Sequence, residues 1–214
     1  MRRLRTHTLA KMLATVLGIG LFFIAYFWVL RHPFSPPTLM PLTALDRLIG
    51  LQPGFLPLYF SLWLYVSIAP ALLASGRELA SYGVGTLAIS VVGLGLFMAW
   101  PTATPPFAQA GPVPPSMQFL RDVDLAANAC PSMHVAFAVF TALWLARLLR
   151  EMRTGFALQA FSAVWCVGIL YSTLATRQHV LLDVLAGAAL GATVAWLNLR
   201  ALRPEPSARL AARL

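Results

Sequence analysis

Long runs of apolar residues separated by polar or Pro-rich connections set the pattern of this 214-residue chain. There are six of them: Met12–Leu30, Phe55–Ala74, Tyr82–Trp100, Met133–Leu149, Gly155–Leu174 and Gln178–Leu199. Each approaches the roughly 20 apolar residues that a helix needs to cross a bilayer. Arg2, Arg3, Arg5 and Lys11 precede the first run, as they would in a signal peptide. At about 19 residues the run is longer than a usual signal core, and no small-residue cleavage site follows, so it is expected to remain as an uncleaved first span. The connection Arg31–Gly54 carries Pro33, Pro36, Pro37, Pro41 and Pro53, which excludes one regular helix there. Within it, Asp46–Gly50 reads as a short turn of helix at the membrane interface. Ser75–Ser81 reads as a polar turn. Pro101–Pro131 is the longest connection, rich in proline and carrying Arg121, Asp122 and Asp124. No internal repeat and no soluble domain is visible. The expected fold is therefore an all-α integral membrane bundle of six transmembrane helices, a single membrane domain over residues 1–214.

Composition agrees. Hydrophobic residues make up 59% of the chain and charged residues 11%, with a mean hydropathy of +0.74, against about 25% charged in soluble domains. The net charge of +9 would suggest nucleic acid if the basic residues clustered on a folded surface. They lie instead at the ends of the apolar runs, which points to membrane topology and anionic lipid headgroups, with no nucleic-acid partner. Six spans put both termini on one side. Of the 16 Lys and Arg residues, twelve fall on that side; Arg31, Arg47, Arg121 and Arg177 fall on the other. The positive-inside rule makes both termini cytoplasmic. The connections that carry His134 and His179 then face away from the cytoplasm. Cys130 and Cys166 make no disulfide framework.

Candidate chemistry concentrates in Tyr171–Gly191, YSTLATRQHVLLDVLAGAALG. Asp183 follows His179 by four residues, which on a helix places both side chains on one face. A carboxylate there can fix the imidazole tautomer and leave the other ring nitrogen free to act. An ionisable pair in a span is costly to bury and so points to function, although a satisfied buried group is the plainer alternative. Gly187 and Gly191 continue the stripe and allow close helix packing. Ala127–Ala138, ANACPSMHVAFA, is the second cluster. Ser132 reads as an N-cap with the helix following from Met133, which puts His134 in a first turn whose free N–H groups favour phosphate. An ordinary capped helix would look the same if His134 did not fall at the depth and side of the His179/Asp183 pair. His7 and His32, at span ends, read as juxtamembrane residues. The aromatic residues Tyr26, Trp28, Tyr59, Trp100 and Tyr171 read as interfacial anchors.

PSMH at 131–134, followed by STLATRQHVLLD at 172–183, resembles the second and third signature motifs of the type-2 phosphatidic acid phosphatase superfamily. The form T-x-Q-H-x-x-x-D-x-x-x-G is most similar to the branch that contains the inositolphosphoryl-ceramide synthases. The resemblance covers roughly residues 55–199, the expected catalytic core. It departs from the pattern in three places. Thr173 stands where an arginine is usual, although Ser172 matches the preceding serine. WPTATPPF at 100–107 lacks the first motif's Lys and Arg-Pro. Met133 replaces the glycine of PSGH.

The resemblance implies His179 as nucleophile, Asp183 as its orienting partner and His134 as general acid, through a phosphohistidine. Ser132, Ser172 and, in place of the missing cations, Arg177 and Arg121 are the expected phosphate-binding residues. No metal and no cofactor is implied. The expected substrate is an amphiphilic phospholipid or isoprenoid phosphate, handled at the non-cytoplasmic face of a bacterial inner (plasma) membrane protein. Water as acceptor would give hydrolysis of a lipid phosphate or pyrophosphate; a lipid or sugar hydroxyl would give headgroup phosphotransfer. A divalent-cation site built from the same His and Asp residues, and a non-catalytic membrane protein, are the competing readings.

Overall fold

The computed structural model describes residues 3, 6–106, 117–118 and 127–202. In chain order the elements are α1 (Thr8–Arg31), β1 (Thr38–Leu39), α2 (Ala44–Leu48), a 3-10 turn (Pro53–Phe55), α3 (Leu56–Phe60) and α4 (Leu62–Leu72). They continue with α5 (Gly76–Ala99), β2 (Thr102–Ala103), α6 (Met133–Glu151), α7 (Phe156–Ala175) and α8 (Leu181–Ala201). Among the described residues six helical stretches are long and apolar enough to cross a membrane: α1, Pro53–Leu72, α5, α6, α7 and α8.

Helix α6 is the centre of the bundle and packs against α4, α5, α7 and α8. Its Phe140, Trp144 and Leu148 are fully buried, together with Leu62, Tyr65 and Ile89 of the surrounding helices. Polar side chains lock the neighbours in register, since a polar group in an apolar bundle is costly without a partner. Tyr82 Oη and Thr141 Oγ1 lie 2.9 Å apart. Trp144 Nε1 donates to Asn198 Oδ1 at 3.1 Å, and Asn198 Nδ2 donates to the Ser81 carbonyl at 2.8 Å. Gly187 and Gly191 of α8 sit directly on the main-chain carbonyls of Ser132 and Ala136, where a Cβ would collide with backbone. This is the close approach that the glycine stripe predicts.

Two local expectations change. Ser75–Ser81 is not a turn: α5 begins at Gly76, because Ser75 Oγ accepts the Glu78 N–H and the Glu78 carboxylate accepts the Ala74 N–H. This reciprocal cap supplies partners for the first-turn donors and extends the helix. The all-α expectation omits a small parallel pairing, Thr38 with Thr102 and Leu39 with Ala103, that joins the two Pro-rich connections across one end of the bundle. The short turn read at Asp46–Gly50 is helix α2, Ala44–Leu48.

Candidate active site

The N-termini of α6 and α8 meet at the end of the bundle closed by the β1–β2 pairing. Ser132, fully buried, caps α6: its Oγ accepts the Val135 N–H at 3.3 Å, and its own N–H donates to the Asp183 carbonyl at 3.0 Å. His134 follows in the first turn. Its ring stacks on Tyr59, with centroids 4.1 Å apart and planes 14° from parallel, and Trp63 stands edge-on at 6.4 Å. Tyr59 is buried. It therefore fixes an imidazole and does not anchor the interface.

His179 reaches the same place by a route the spacing did not suggest. It lies outside the helix, since α8 starts at Leu181. The carbonyl of Thr173 accepts the N–H groups of both Gln178 and His179, at 3.1 and 3.2 Å, and so closes the end of α7. Arg177 adopts the left-handed conformation at φ 59°. This is the usual place for glycine after a helix, and an L-residue there costs roughly 1–2 kcal/mol. The turn brings His179 Nδ1 to 3.6 Å from Asp183 Oδ2, a close electrostatic contact that is too long for a hydrogen bond. Asp183 Oδ2 instead accepts the Val180 N–H at 2.9 Å. His179 Nδ1, His134 Nε2 and Asp183 Oδ1 are buried and have no hydrogen-bond partner among the described residues. His134 and His179 are close enough to interact electrostatically. Two imidazoles and a fully buried carboxylate thus converge with hydrogen-bonding capacity unused, an arrangement that is rare in a packed interior and needs a reason.

The other sequence candidates divide. Arg177 is on the site loop, and its Nη1 donates to the Asp46 carbonyl at 3.1 Å. Burial lowers its guanidinium pKa from the ordinary value, and the Asp46 carboxylate works against that shift. Ser172 is buried within α7, where its hydroxyl donates to the Ile169 carbonyl at 2.6 Å. Arg121 lies outside the described residues. Cys130 lies beside Asp183. Burial, reinforced by that carboxylate, pushes its thiol up to about 11.

Three supports were not anticipated. Asp46 Oδ1 accepts the Leu181 N–H at 2.8 Å and so caps α8 from a segment 135 residues away, while its Oδ2 accepts from Thr43, the N-cap of α2. The Thr43-x-x-Asp46 spacing is a capping signature, but nothing local says that the same carboxylate reaches a second helix. Thr104 Oγ1 donates to the Gln178 carbonyl at 2.9 Å, and Thr102 Oγ1 accepts the Cys130 N–H at 2.8 Å. The TAT segment, where the resemblance expects cations, is therefore a strut between the two site loops. Met133, in place of the usual glycine, lays its sulfur against Gly93 of α5.

The model of the PAP2 superfamily matches residues 78–205, a range that runs from the first turn of α5 through α8 and includes every candidate residue from Arg121 to Asp183. No curated protein and no solved structure matches the chain. The match spans more than half of the sequence, and it supports a phosphatase-type activity on lipid phosphates: the chain belongs to the PAP2 superfamily.

Proposed function

We propose that the protein is a membrane phosphatase that hydrolyses a lipid phosphate or lipid pyrophosphate through a phosphohistidine, at the membrane face away from the cytoplasm. The observation that carries this reading is the shared burial of His134, His179 and Asp183 with polar atoms left unpaired. His179 Nδ1 faces Asp183, so Nε2 is the nitrogen that attacks phosphorus. The P–O bond to the leaving group breaks, and His134 delivers a proton to the departing oxygen. His134 then takes a proton from water as water attacks the phosphohistidine, which releases phosphate and returns both imidazoles to their starting state. The first-turn N–H groups of α6 that Ser132 does not cap, at a positive helix end, stabilise the phosphoryl oxygens. The Arg177 guanidinium, on the same loop as His179, adds a cation. Ser132 orients the α6 turn through its cap and can donate its hydroxyl proton to the same oxygens.

The acid and base stability of a protein-bound label identifies the intermediate. In the wild type, a base quench during turnover of phosphorus-labelled lipid phosphate should trap an acid-labile, base-stable label on the protein, and His179→Ala should abolish it. An equal label in His179→Ala removes that residue as nucleophile. A reporter fused after Leu214 should read as cytoplasmic; a signal from the opposite side inverts the site's orientation. The Thr176–His179 T-x-Q-H form favours a second reading, transfer of the phosphoryl headgroup to a lipid hydroxyl. A new labelled phosphodiester, in place of free phosphate, would select it.

A further inference from the structure

The two imidazoles of the site are supported differently. Asp183 faces His179 at 3.6 Å, and among the described residues no carboxylate is in ion-pair contact with His134. What His134 has is a ring. Tyr59 lies parallel to it, with centroids 4.1 Å apart and planes 14° from parallel, and the Tyr59 main chain interacts with the same imidazole. Tyr59 is buried and is backed by Leu51, Leu56 and Met117. Its short helix α3 is tied to α7 through Ser61, whose Oγ donates to the Leu58 carbonyl at 2.6 Å and accepts from Trp165 Nε1 at 2.9 Å. The Tyr59 face is therefore a fixed platform. His134 Nε2 is buried and has no hydrogen-bond partner among the described residues. Tyr59 lies before residues 78–205, the range of the family match, so no role comes to it from there.

A general acid must hold its proton until the bond to the leaving group breaks. In a buried site the hydration that an imidazolium gives up needs an offset. A carboxylate would supply one but would also compete for the Nε2 proton. An aromatic face within about 6 Å attracts the cation through its quadrupole, most strongly where water is excluded, and leaves the in-plane N–H free. The other imidazole in reach, His179, is neutral when it attacks and so does not oppose the charge. We infer that Tyr59 is a positioning residue that holds His134 charged and aligned for proton delivery, so that cleavage of esters with poor leaving groups depends on this ring. The inference rests on the acid role given to His134 above. As the P–O bond breaks, its electron pair stays on oxygen, the Nε2 proton moves to that oxygen, and His134 is left neutral. A departing alkoxide needs that proton, whereas a nitrophenolate does not.

Leaving-group dependence tests this. Tyr59→Leu and Tyr59→Met both remove the face and keep apolar bulk. The quantity compared is kcat/KM of the detergent-purified chain for dodecyl phosphate and for p-nitrophenyl phosphate, read as phosphate release. Tyr59→Leu should lose about 10- to 30-fold on dodecyl phosphate, the worth of a desolvated cation–π contact, and less than about threefold on the nitrophenyl ester. Tyr59→Phe keeps the face and should recover most of the loss on dodecyl phosphate. Adding Tyr59→Leu to His134→Ala should cost nothing further on that ester, because the two side chains act as one unit. Equal losses on both esters in Leu and Met variants that melt like the wild type, or a Tyr59→Phe as slow as Tyr59→Leu, overturn the inference. A selective loss on dodecyl phosphate in His134→Ala without one in Tyr59→Leu sinks the role of Tyr59 alone. Equal losses on both esters in His134→Ala remove the acid assignment, and no phosphate from either ester in the wild type sinks the hydrolase reading; the inference falls with either.

Discussion

Gly187 and Gly191 on α8 and Gly18 and Gly83 on α1 and α5 are the same residue in the same kind of apolar helix. The first pair lies against the backbone of α6, with no room for a Cβ. The second pair faces open space on the walls of a groove. At the α6–α8 seam, missing side chains let two helix starts touch. The Ser132 N–H can then reach the Asp183 carbonyl, and His134 and His179 are brought together. At the α1–α5 seam, missing side chains leave volume. The contrast extends to the helices themselves: most of α6 is buried, while Leu9, Met12, Leu13, Val16, Leu17, Leu21 and Ile24 of α1 point outward. Chemistry needs fixed distances, which the tight seam supplies, while the loose seam leaves apolar volume.

Substitutions can break this contrast. The largest effect is expected for His179→Ala, a loss of about 10⁴-fold or more in lipid-phosphate turnover, measured by phosphate release; substantial residual turnover would deny the tight seam its chemical role. Asp183→Asn should follow, with a loss of about 10²- to 10⁴-fold in kcat while the protein still inserts and purifies. An unchanged kcat would mean that the 3.6 Å contact orients nothing. Gly187→Ala forces a methyl group into the Ser132 carbonyl and should destabilise the protein by about 1–3 kcal/mol, read as a lowered melting temperature in detergent. Gly83→Ala should leave that temperature unmoved, and equal shifts for the two would erase the distinction between the seams. Arg177→Gly sharpens it at the smallest scale. Glycine suits the left-handed turn, so thermal stability should hold or rise by up to about 1 kcal/mol, while KM for the lipid phosphate should increase if the guanidinium meets the headgroup. Unchanged KM would leave Arg177 a residue that only shapes the loop.

Much of the fold was legible because spanning runs are local. A helix in lipid satisfies its own backbone, so a sufficient run of apolar residues announces itself without reference to the rest of the chain. The candidate site was legible in part for a similar reason: Ser132 and His134 sit two residues apart, His179 and Asp183 four. The boundary at Gly76 was missed because its cap, made by Ser75 and Glu78, lies in a short polar stretch that also suits a turn. The route to the His179–Asp183 contact was misread because the spacing fits a helix, whereas Arg177 ends one helix and Leu181 begins the next. Asp46, Thr102 and Thr104 were not seen at all, since each acts on a segment far along the chain.

The amino-acid order alone determined six apolar spans, the imbalance of basic residues between their ends, and the residue types able to hold and attack phosphorus. Only the tertiary structure decided that Tyr59 stacks on His134, that Asp46 caps α8, and which glycines close a seam and which open one. The reason is physical. Hydrophobicity and capping act within a few residues, but the partner of a buried polar atom, or of a missing side chain, is chosen by whatever the rest of the chain packs beside it.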